Sequence, residues 1–201
     1  IKVYSRKEVD NNISLIIGVG DNIIRKKISL LFLNFSTVMS NKATIDSSLK
    51  IGNGSLICDN ATINIDTVIG DHVIVNTSAL IDHDCFLDNF VHVSPNAAIA
   101  GGAKIGEGSH IGIGAVVIEG IKIGKWCKIG AGAVVINDIP DFCTAVGVPA
   151  KIIKFNNNDI SFEDIFKHFL KNEITSNLVQ VKKAELKNTY PIENGNIALM
   201  H

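Results

Sequence analysis

The sequence predicts a mainly β protein: a triangular column of short parallel strands over residues 38–154, preceded by a partial α/β element in 1–37 and followed by a helical extension in 155–201. Three observations predict it. From Met39 to Val135 every sixth residue is aliphatic, through Ile45, Ile51, Ile57 and onward to Ile123 and Ile129. Four residues after each comes a second column of mostly small residues, among them Ala43, Ser55, Ala61, Ala79, Cys85, Ala97, Ala103, Ala115 and Ala133. The register stops soon after Pro149. A helix has no place here, because a period of about 3.6 residues drifts off a hexad within a few turns.

Three hexads form one coil of the column, with the aliphatic residue pointing to the axis and the small residue clearing the corner. Successive coils pair as parallel strands about 4.8 Å apart, so a residue and the one three hexads later are neighbours. Gly52, Gly70, Gly106, Gly112, Gly124 and Gly130 follow the aliphatic residue and are expected to serve the bends, where glycine reaches conformations that other residues avoid. Such a column needs caps, since a bare last coil exposes backbone and core.

Before the column, residues 13–20 (ISLIIGVG) predict a buried strand, and Asp21 is expected to cap a helix running through IIRKKISLLFL. This is half of a βα unit. Gly18-Val19-Gly20 is no dinucleotide fingerprint, because Ile23 stands where its third glycine belongs. With no initiating Met and no earlier strand to pair with, the segment is expected to be the remainder of a larger α/β domain. After the column, Asn156–Asn158 form a polar link, and Ser161 is expected to cap a helix with Phe162, Ile165, Phe166, Phe169 and Leu170 on one face. That face would cap the column or meet a neighbouring subunit. Residues 197–200 (IALM) suggest a last strand.

The 201 residues, 46% of them hydrophobic, can bury a sizeable core. Nineteen basic against twenty acidic side chains give a net charge of −1, which offers no positive field to nucleic acid or anionic lipid. Apolar runs such as Leu30–Leu33 are far shorter than the roughly 20 residues of a membrane span. No membrane insertion is expected, and a cytoplasmic location follows by default. The four cysteines form no C-x-x-C pair, so they are expected to be reduced, small apolar fillers and not zinc or redox ligands.

The chemistry-bearing segment is Asn76-Thr77-Ser78-Ala79-Leu80-Ile81-Asp82-His83-Asp84-Cys85, followed by Val91-His92-Val93-Ser94. His83 lies in neither the aliphatic nor the corner column, so it faces outward, and Asp82 and Asp84 flank it. An imidazole held this way can take and give a proton near neutrality. One coil later stands Gly101, whose bare N–H beside the imidazole suits acyl transfer: a base for the nucleophile and a donor for the oxyanion. His92 stacks on His110 and raises a zinc alternative, but His72 and His83 fall at other hexad phases and supply no third ligand. No metal is expected. A carbonic anhydrase-like zinc protein and a non-catalytic scaffold are the alternatives of another class.

IDHDC, HVS, the hexads AKIGEGSHIGIGAVVIEGIKIGKWCKIGAGAVV and the closing VGVPAKIIK resemble the bacterial sugar acetyltransferases of the left-handed parallel β-helix type. These include UDP-4-amino-sugar N-acetyltransferases and sialic acid O-acetyltransferases. The resemblance implies a left-handed coil and an acetyl-CoA-dependent transfer to a sugar, most simply the 4-amino group of a UDP-amino-sugar, with sialic acid O-acetylation as the alternative. It implies His83 as general base, Asp84 as its acidic partner and Asn76 near the reacting centre. His92 matches a contact to acetyl-CoA, Ile113 and Ala131 match backbone contacts along the pantetheine, and Gly147, Val148 and Pro149 match a loop against the cofactor. Lys151 and Lys154 are candidates for its phosphates. The element IIGVGDNIIRKK resembles the family's nucleotide-gripping segment and places Gly20 near the nucleotide, although the family's glycine-rich first loop has no counterpart here. A homotrimer with each active site between two columns is the implied assembly.

Overall fold

The computed structural model describes residues 14–156 and the backbone of residues 181–183 and 197–200. The expected helix with Phe162 through Leu170 lies outside the described residues. Three parallel sheets form the sides of a β-solenoid. One side, here the His92 face, runs from Val38–Met39 through His92–Val93 to Cys143–Val146, with Lys151–Phe155 added antiparallel at its edge. The Leu80 face runs from Thr44–Ile45 through Leu80–Ile81 to Val134–Val135. The Lys104 face runs from Lys50–Ile51 through Phe86–Leu87 and Lys104–Ile105 to Lys122–Ile123. Partners stand eighteen residues apart, as with His92 and His110 or Phe86 and Lys104.

The hexad column fills the axis. From Ile57 to Val135 its members are no more than 2% exposed, and the corner residues Ala61, Ala79, Cys85, Ala97 and Ala103 are equally closed. Serine replaces alanine at two such corners because it bridges coils: the Ser109 hydroxyl donates to the Gly124 carbonyl (2.6 Å) and accepts from the Cys127 N–H (2.9 Å), as Ser55 does with Gly70 and Val73.

The glycines correct the expectation drawn for them. Gly52, Gly70, Gly106, Gly112, Gly124 and Gly130 are not the residues with left-handed backbone; that role falls two residues later, to Gly54, Gly108, Gly114 and Gly132, and in other coils to Asn60, Asp66, Asp84, Asn96 and Trp126. The first set is held by space. An added Cβ at Gly106 or Gly112 would stand 2.7 or 2.5 Å from the next coil's backbone, closer than real Cβ atoms come.

Strand Ser14–Ile17 and helix Asn22–Ser29 precede the solenoid, and Asp21 accepts the Ile24 N–H at 2.9 Å as the expected cap. The helix stops at Ser29, short of the predicted Leu33. Leu30 and Leu33 stay 61% and 91% exposed, and the chain turns so that Phe35 can bridge back to Leu15. The IALM segment is a strand, Ile197–Met200, parallel to Ser14–Ile17 and paired on its other side with Val181–Lys183.

Arg25 fastens this element to the solenoid. Its side chain is fully buried and its guanidinium donates to the carbonyls of His72 (2.8 Å), Phe90 (2.6 Å) and Val91 (3.4 Å) on the solenoid, to those of Val19 (3.0 Å) and Gly20 (3.3 Å) on the entering chain, and to Asn22 Oδ1 (3.0 Å). Asn22 Nδ2 continues the seam to the Gly108 carbonyl at 2.9 Å. Burial lowers the Arg25 pKa to about 10, with Asp21 acting in the opposite sense, so the group remains a cation. Replacing Arg25 by Ala leaves buried carbonyls without donors, at about 1–3 kcal/mol for each one stranded. Hydrogen exchange should then speed up across residues 14–29 while the solenoid amides from Ile99 to Val135 keep their protection. Arg25→Lys should restore little, since one ammonium cannot reproduce the planar fork.

Candidate active site

His83 sits at the corner where the Leu80 face turns into the Lys104 face. Asp84 follows with φ 56°, a left-handed conformation that aspartate tolerates better than most residues, and its Oδ2 lies 2.8 Å from His83 Nδ1. Asp82 Oδ1 accepts the His83 backbone N–H (2.9 Å) and the Asn64 carboxamide (2.8 Å). The Nδ1 proton therefore points at a carboxylate, which leaves the Nε2 lone pair outward. The pKa of His83 is raised, first by the hydrogen bond to Asp84 and then by the charge of Asp82. Both side chains of the pair are open to solvent.

Gly101 lies against the ring. A Cβ there would be 2.6 Å from both Cε1 and Nε2 of His83, so no other residue type fits without moving the imidazole. In other coils the amide at this phase is taken by a side chain: Asn53 N–H by Asp71, Asp71 by Asn89, Thr77 by Asn76, His83 by Asp82, Asn89 by Asp88 and Lys125 by Asp141. Ala100 precedes Gly101, and the Gly101 amide has no acceptor among the described residues. The amides of Ile113 and Ala131, behind Gly112 and Gly130, are open in the same way. Several further coils share this feature, so what marks Gly101 is the imidazole beside it.

The other predicted residues gather elsewhere. Asn76, Ile113 and Ala131 occupy the corner between the His92 and Leu80 faces, and the exposed loop Gly147–Pro149 ends that corner, with Val134 N–H donating to the Gly147 carbonyl at 3.0 Å. Within one chain the strand Leu80–Ile81 separates them from His83. His92 is buried: its Nδ1–H donates to the Gly20 carbonyl (3.1 Å) and its Nε2 accepts from Asn76 Nδ2 (3.2 Å), while Asn76 Oδ1 takes the Thr77 amide (2.8 Å). The ring is thus fixed as one neutral tautomer, 4.7 Å from the His110 ring. Burial, then the neighbouring His110, lowers its pKa to about 4. Gly20 contributes its carbonyl to this seam. Sequence reasoning missed Arg25 and Asn22, whose partners lie far along the chain; it also missed Asn64, which stacks on Asp82 by the eighteen-residue rule and was open to that signal. Among the described residues no group of three His, Cys, Asp or Glu is placed to hold a metal ion, and no helix is long and apolar enough to cross a membrane.

Comparison with known proteins bears on the fold and the family. Residues 102–137 match the bacterial transferase hexapeptide family (six repeats). No curated protein matches the chain by sequence. The chain is similar in structure to perosamine N-acetyltransferase from Caulobacter crescentus, crystallised with CoA and GDP-perosamine, at 38% identity over 70% of each chain and a TM-score of 0.68. It is similar to the acetyltransferase domain of PglB from Neisseria gonorrhoeae FA1090, at 39% identity over 73% of this chain and 74% of that one, with a TM-score of 0.71. WeeI from Acinetobacter baumannii AYE shares 27% identity over 74% of each chain, TM-score 0.68. The solenoid is thus that of a hexapeptide-repeat transferase. The chain belongs to the left-handed β-helix sugar acetyltransferases.

Gly101→Ala should push the His83 ring off Asp84, and an NMR titration should then find the His83 pKa shifted down toward the ordinary 6.5 or so. His92, His72 and His110 all have lowered pKa values, burial being the first cause in each. The unfolded chain binds more protons than the native one below about pH 6.5, so stability should decline as pH falls from there through about 4. His92→Gln should flatten part of that decline in urea midpoints measured across the range.

Proposed function

We propose that this acetyltransferase moves the acetyl group of acetyl-CoA to the amine of a nucleotide-linked sugar, with His83 as general base. The observation that carries the reading is the Asp84-held imidazole, its Nε2 free, set against the bare amide of Gly101. As the amine attacks the thioester carbonyl, Nε2 takes its proton and the Gly101 N–H receives the oxyanion. Collapse breaks the C–S bond, and the proton on Nε2 goes to the departing thiolate. Asp84 acts as a positioning residue. Transfer is direct: Cys85 and Cys127 are 1% and 0% exposed, and burial raises the pKa of both thiols. The similar proteins favour an amine over a hydroxyl acceptor: the Caulobacter crescentus enzyme is a perosamine N-acetyltransferase, and histidine variants of it were crystallised with CoA and GDP-perosamine. A UDP-linked 4-amino sugar is the acceptor to test first, with Gly20 on the nucleotide side.

The working unit is a homotrimer. His83 and the set Asn76, Ile113, Ala131 and Gly147–Pro149 lie on opposite edges of the Leu80 face, so a full site forms where one copy's His83 corner meets the other edge of a second copy. The outward residues of that face, Thr44, Thr62, Leu80, Ala98, Val116 and Val134, carry no charge. Leu80 and Val116 remain 40% and 39% exposed, and cyclic packing would cover them. His92 would serve the donor site from behind, through Asn76. The cytoplasm, where acetyl-CoA and reduced thiols coexist, suits four free cysteines.

Acetyl transfer to a UDP-4-amino sugar, run beside sialic acid, tests the acceptor class. His83→Ala should lower kcat about 10²- to 10⁴-fold with acetyl-CoA affinity nearly kept. The base works only unprotonated, so kcat/KM should rise with pH through an inflection above 6.5, and Asp84→Asn should move that inflection to lower pH. A His83→Ala enzyme with full turnover would end the assignment.

A further inference from the structure

The His83–Asp84 pair stands at the surface, its side chains 55% and 64% exposed. A contact so open to water holds a side chain only weakly, and burial does not fix the ring. The placing of the imidazole must therefore come from the segment 82–84 that carries both residues, and from what that segment is tied to.

The preceding coil supplies the ties. Asn64 Nδ2 donates to Asp82 Oδ1 at 2.8 Å, the Thr67 hydroxyl donates to the Asp82 carbonyl at 2.9 Å, and the Asp84 N–H donates to the Ile65 carbonyl at 3.0 Å. Two of the three recur along the solenoid. The Ile65 contact is repeated one coil later, where the Gly102 N–H donates to the His83 carbonyl at 2.9 Å, and the buried Thr67 does what Ser55 and Ser109 do at their own corners. The Asn64 contact is of another kind. One coil earlier at the same phase, Asp46 Oδ1 stays within its own turn and accepts the Ser48 N–H (2.9 Å) and hydroxyl (2.7 Å). Asn64 reaches the next coil, and its donor meets the same oxygen, Asp82 Oδ1, that accepts the His83 N–H at 2.9 Å. One carboxylate oxygen thus joins the coil below to the backbone of the base.

That junction suits a carboxamide. Two N–H donors on one oxygen favour the ionised carboxylate: the Asp82 pKa is lowered, first by the hydrogen bond from Asn64 and then by that from the His83 N–H. An aspartate at position 64 would set a second carboxylate against the first and drive one of them to take a proton. An apolar residue there would leave Asp82, which is only half-buried, free to turn toward solvent.

We infer that Asn64 is a positioning residue for the acyl transfer: it holds Asp82, and through Asp82 the backbone of His83, so that the ring keeps its place against Gly101. The inference rests on the reading of His83 as general base and adds a residue that acts on the reaction through others.

Two measurements test it, one of which needs no substrate. An NMR titration reads the His83 pKa, its signal identified by its loss in His83→Gln. The value should fall in Asn64→Ala, in the same direction as in Asp82→Asn and by less. With acetyl-CoA and a UDP-4-amino sugar, kcat of Asn64→Ala on the high-pH plateau, where the base is unprotonated, should drop about tenfold, within the roughly 10²-fold that a 1 Å misplacement can cost. KM for both substrates should stay nearly unchanged. Asn64→Asp, similar in shape but without the donor, should lose as much. In an Asp82→Ala background, Asn64→Ala should cost less than about twofold more, because residues in one hydrogen-bonded network are not additive. Full kcat in both Asn64 variants, or losses that multiply independently with that of Asp82→Ala, overturns the inference. So does a lower melting temperature and kcat with an unmoved His83 pKa, the mark of a merely structural contact. If His83→Ala is inactive and Asn64→Ala is not impaired, this inference alone falls; if His83→Ala keeps full turnover, the assignment of the base falls with it.

Discussion

Each coil must repeat its height and its eighteen-residue length, and nearly every other feature is a consequence of that constraint. Once the strands stack in register, each side chain has a fixed neighbour above and below, and chemistry must be arranged vertically. Carboxamides and carboxylates climb from coil to coil, as Asp71 caps the Asn53 amide and Asn89 the Asp71 amide. Glycine after the aliphatic residue is required because the next coil leaves a Cβ no room. The approach of His83 and Gly101 is one more case of the same rule. It is rigid because both residues are held by a core whose side chains are closed to solvent from Ile57 to Val135, and such a core resists even small displacements.

A second constraint joins the entering segment to that column. Arg25 is buried among carbonyls, and among the described residues no carboxylate receives it. A buried ion pair would spend much of its attraction on desolvating two ions, whereas carbonyl dipoles need only be aimed. The same seam keeps His72, His92 and His110 neutral, since burial and the neighbouring cation act together on all three. The junction is accordingly a fixed polar weld, and Gly20, Asn76 and His92 sit within it as one connected set.

How much of this was legible in the sequence varies with distance along the chain. The coil, its core columns and the vertical meeting of residues 83 and 101 follow from a period that repeats locally, and so does the Asp21 cap. Arg25 was hidden: in sequence it belongs to an Arg-Lys-Lys run that looks like a solvated face, and the carbonyls that draw it inside belong to residues 72, 90 and 91. The glycine expectation failed because backbone freedom and lack of room both select glycine, and only coordinates separate them. The character of the faces was present but needed steps of eighteen, not six. Taken that way, Thr44, Thr62, Leu80, Ala98, Val116 and Val134 separate from Lys50, Val68, Phe86, Lys104 and Lys122. The same step shows that Asn76 and His83, seven residues apart, belong to different corners.

That separation gives the proposed reaction its geometry. A column has two ends and three edges, and the predicted residues divide between two of the edges, His83 at one and Asn76, Ile113, Ala131 and Gly147–Pro149 at another. The weld with Gly20, Asn76 and His92 lies beside the middle coils, its acceptors running from His72 through Phe90 and Val91 to Gly108. A sugar nucleotide and an acyl-CoA are both polyanions at one end and reactive at the other, and two polyanions repel. Two such reactants that met head to head at one imidazole would keep their charges farthest apart. Direct transfer is then the economical chemistry, because both reactants are present at once and neither has to leave before the other can reach His83.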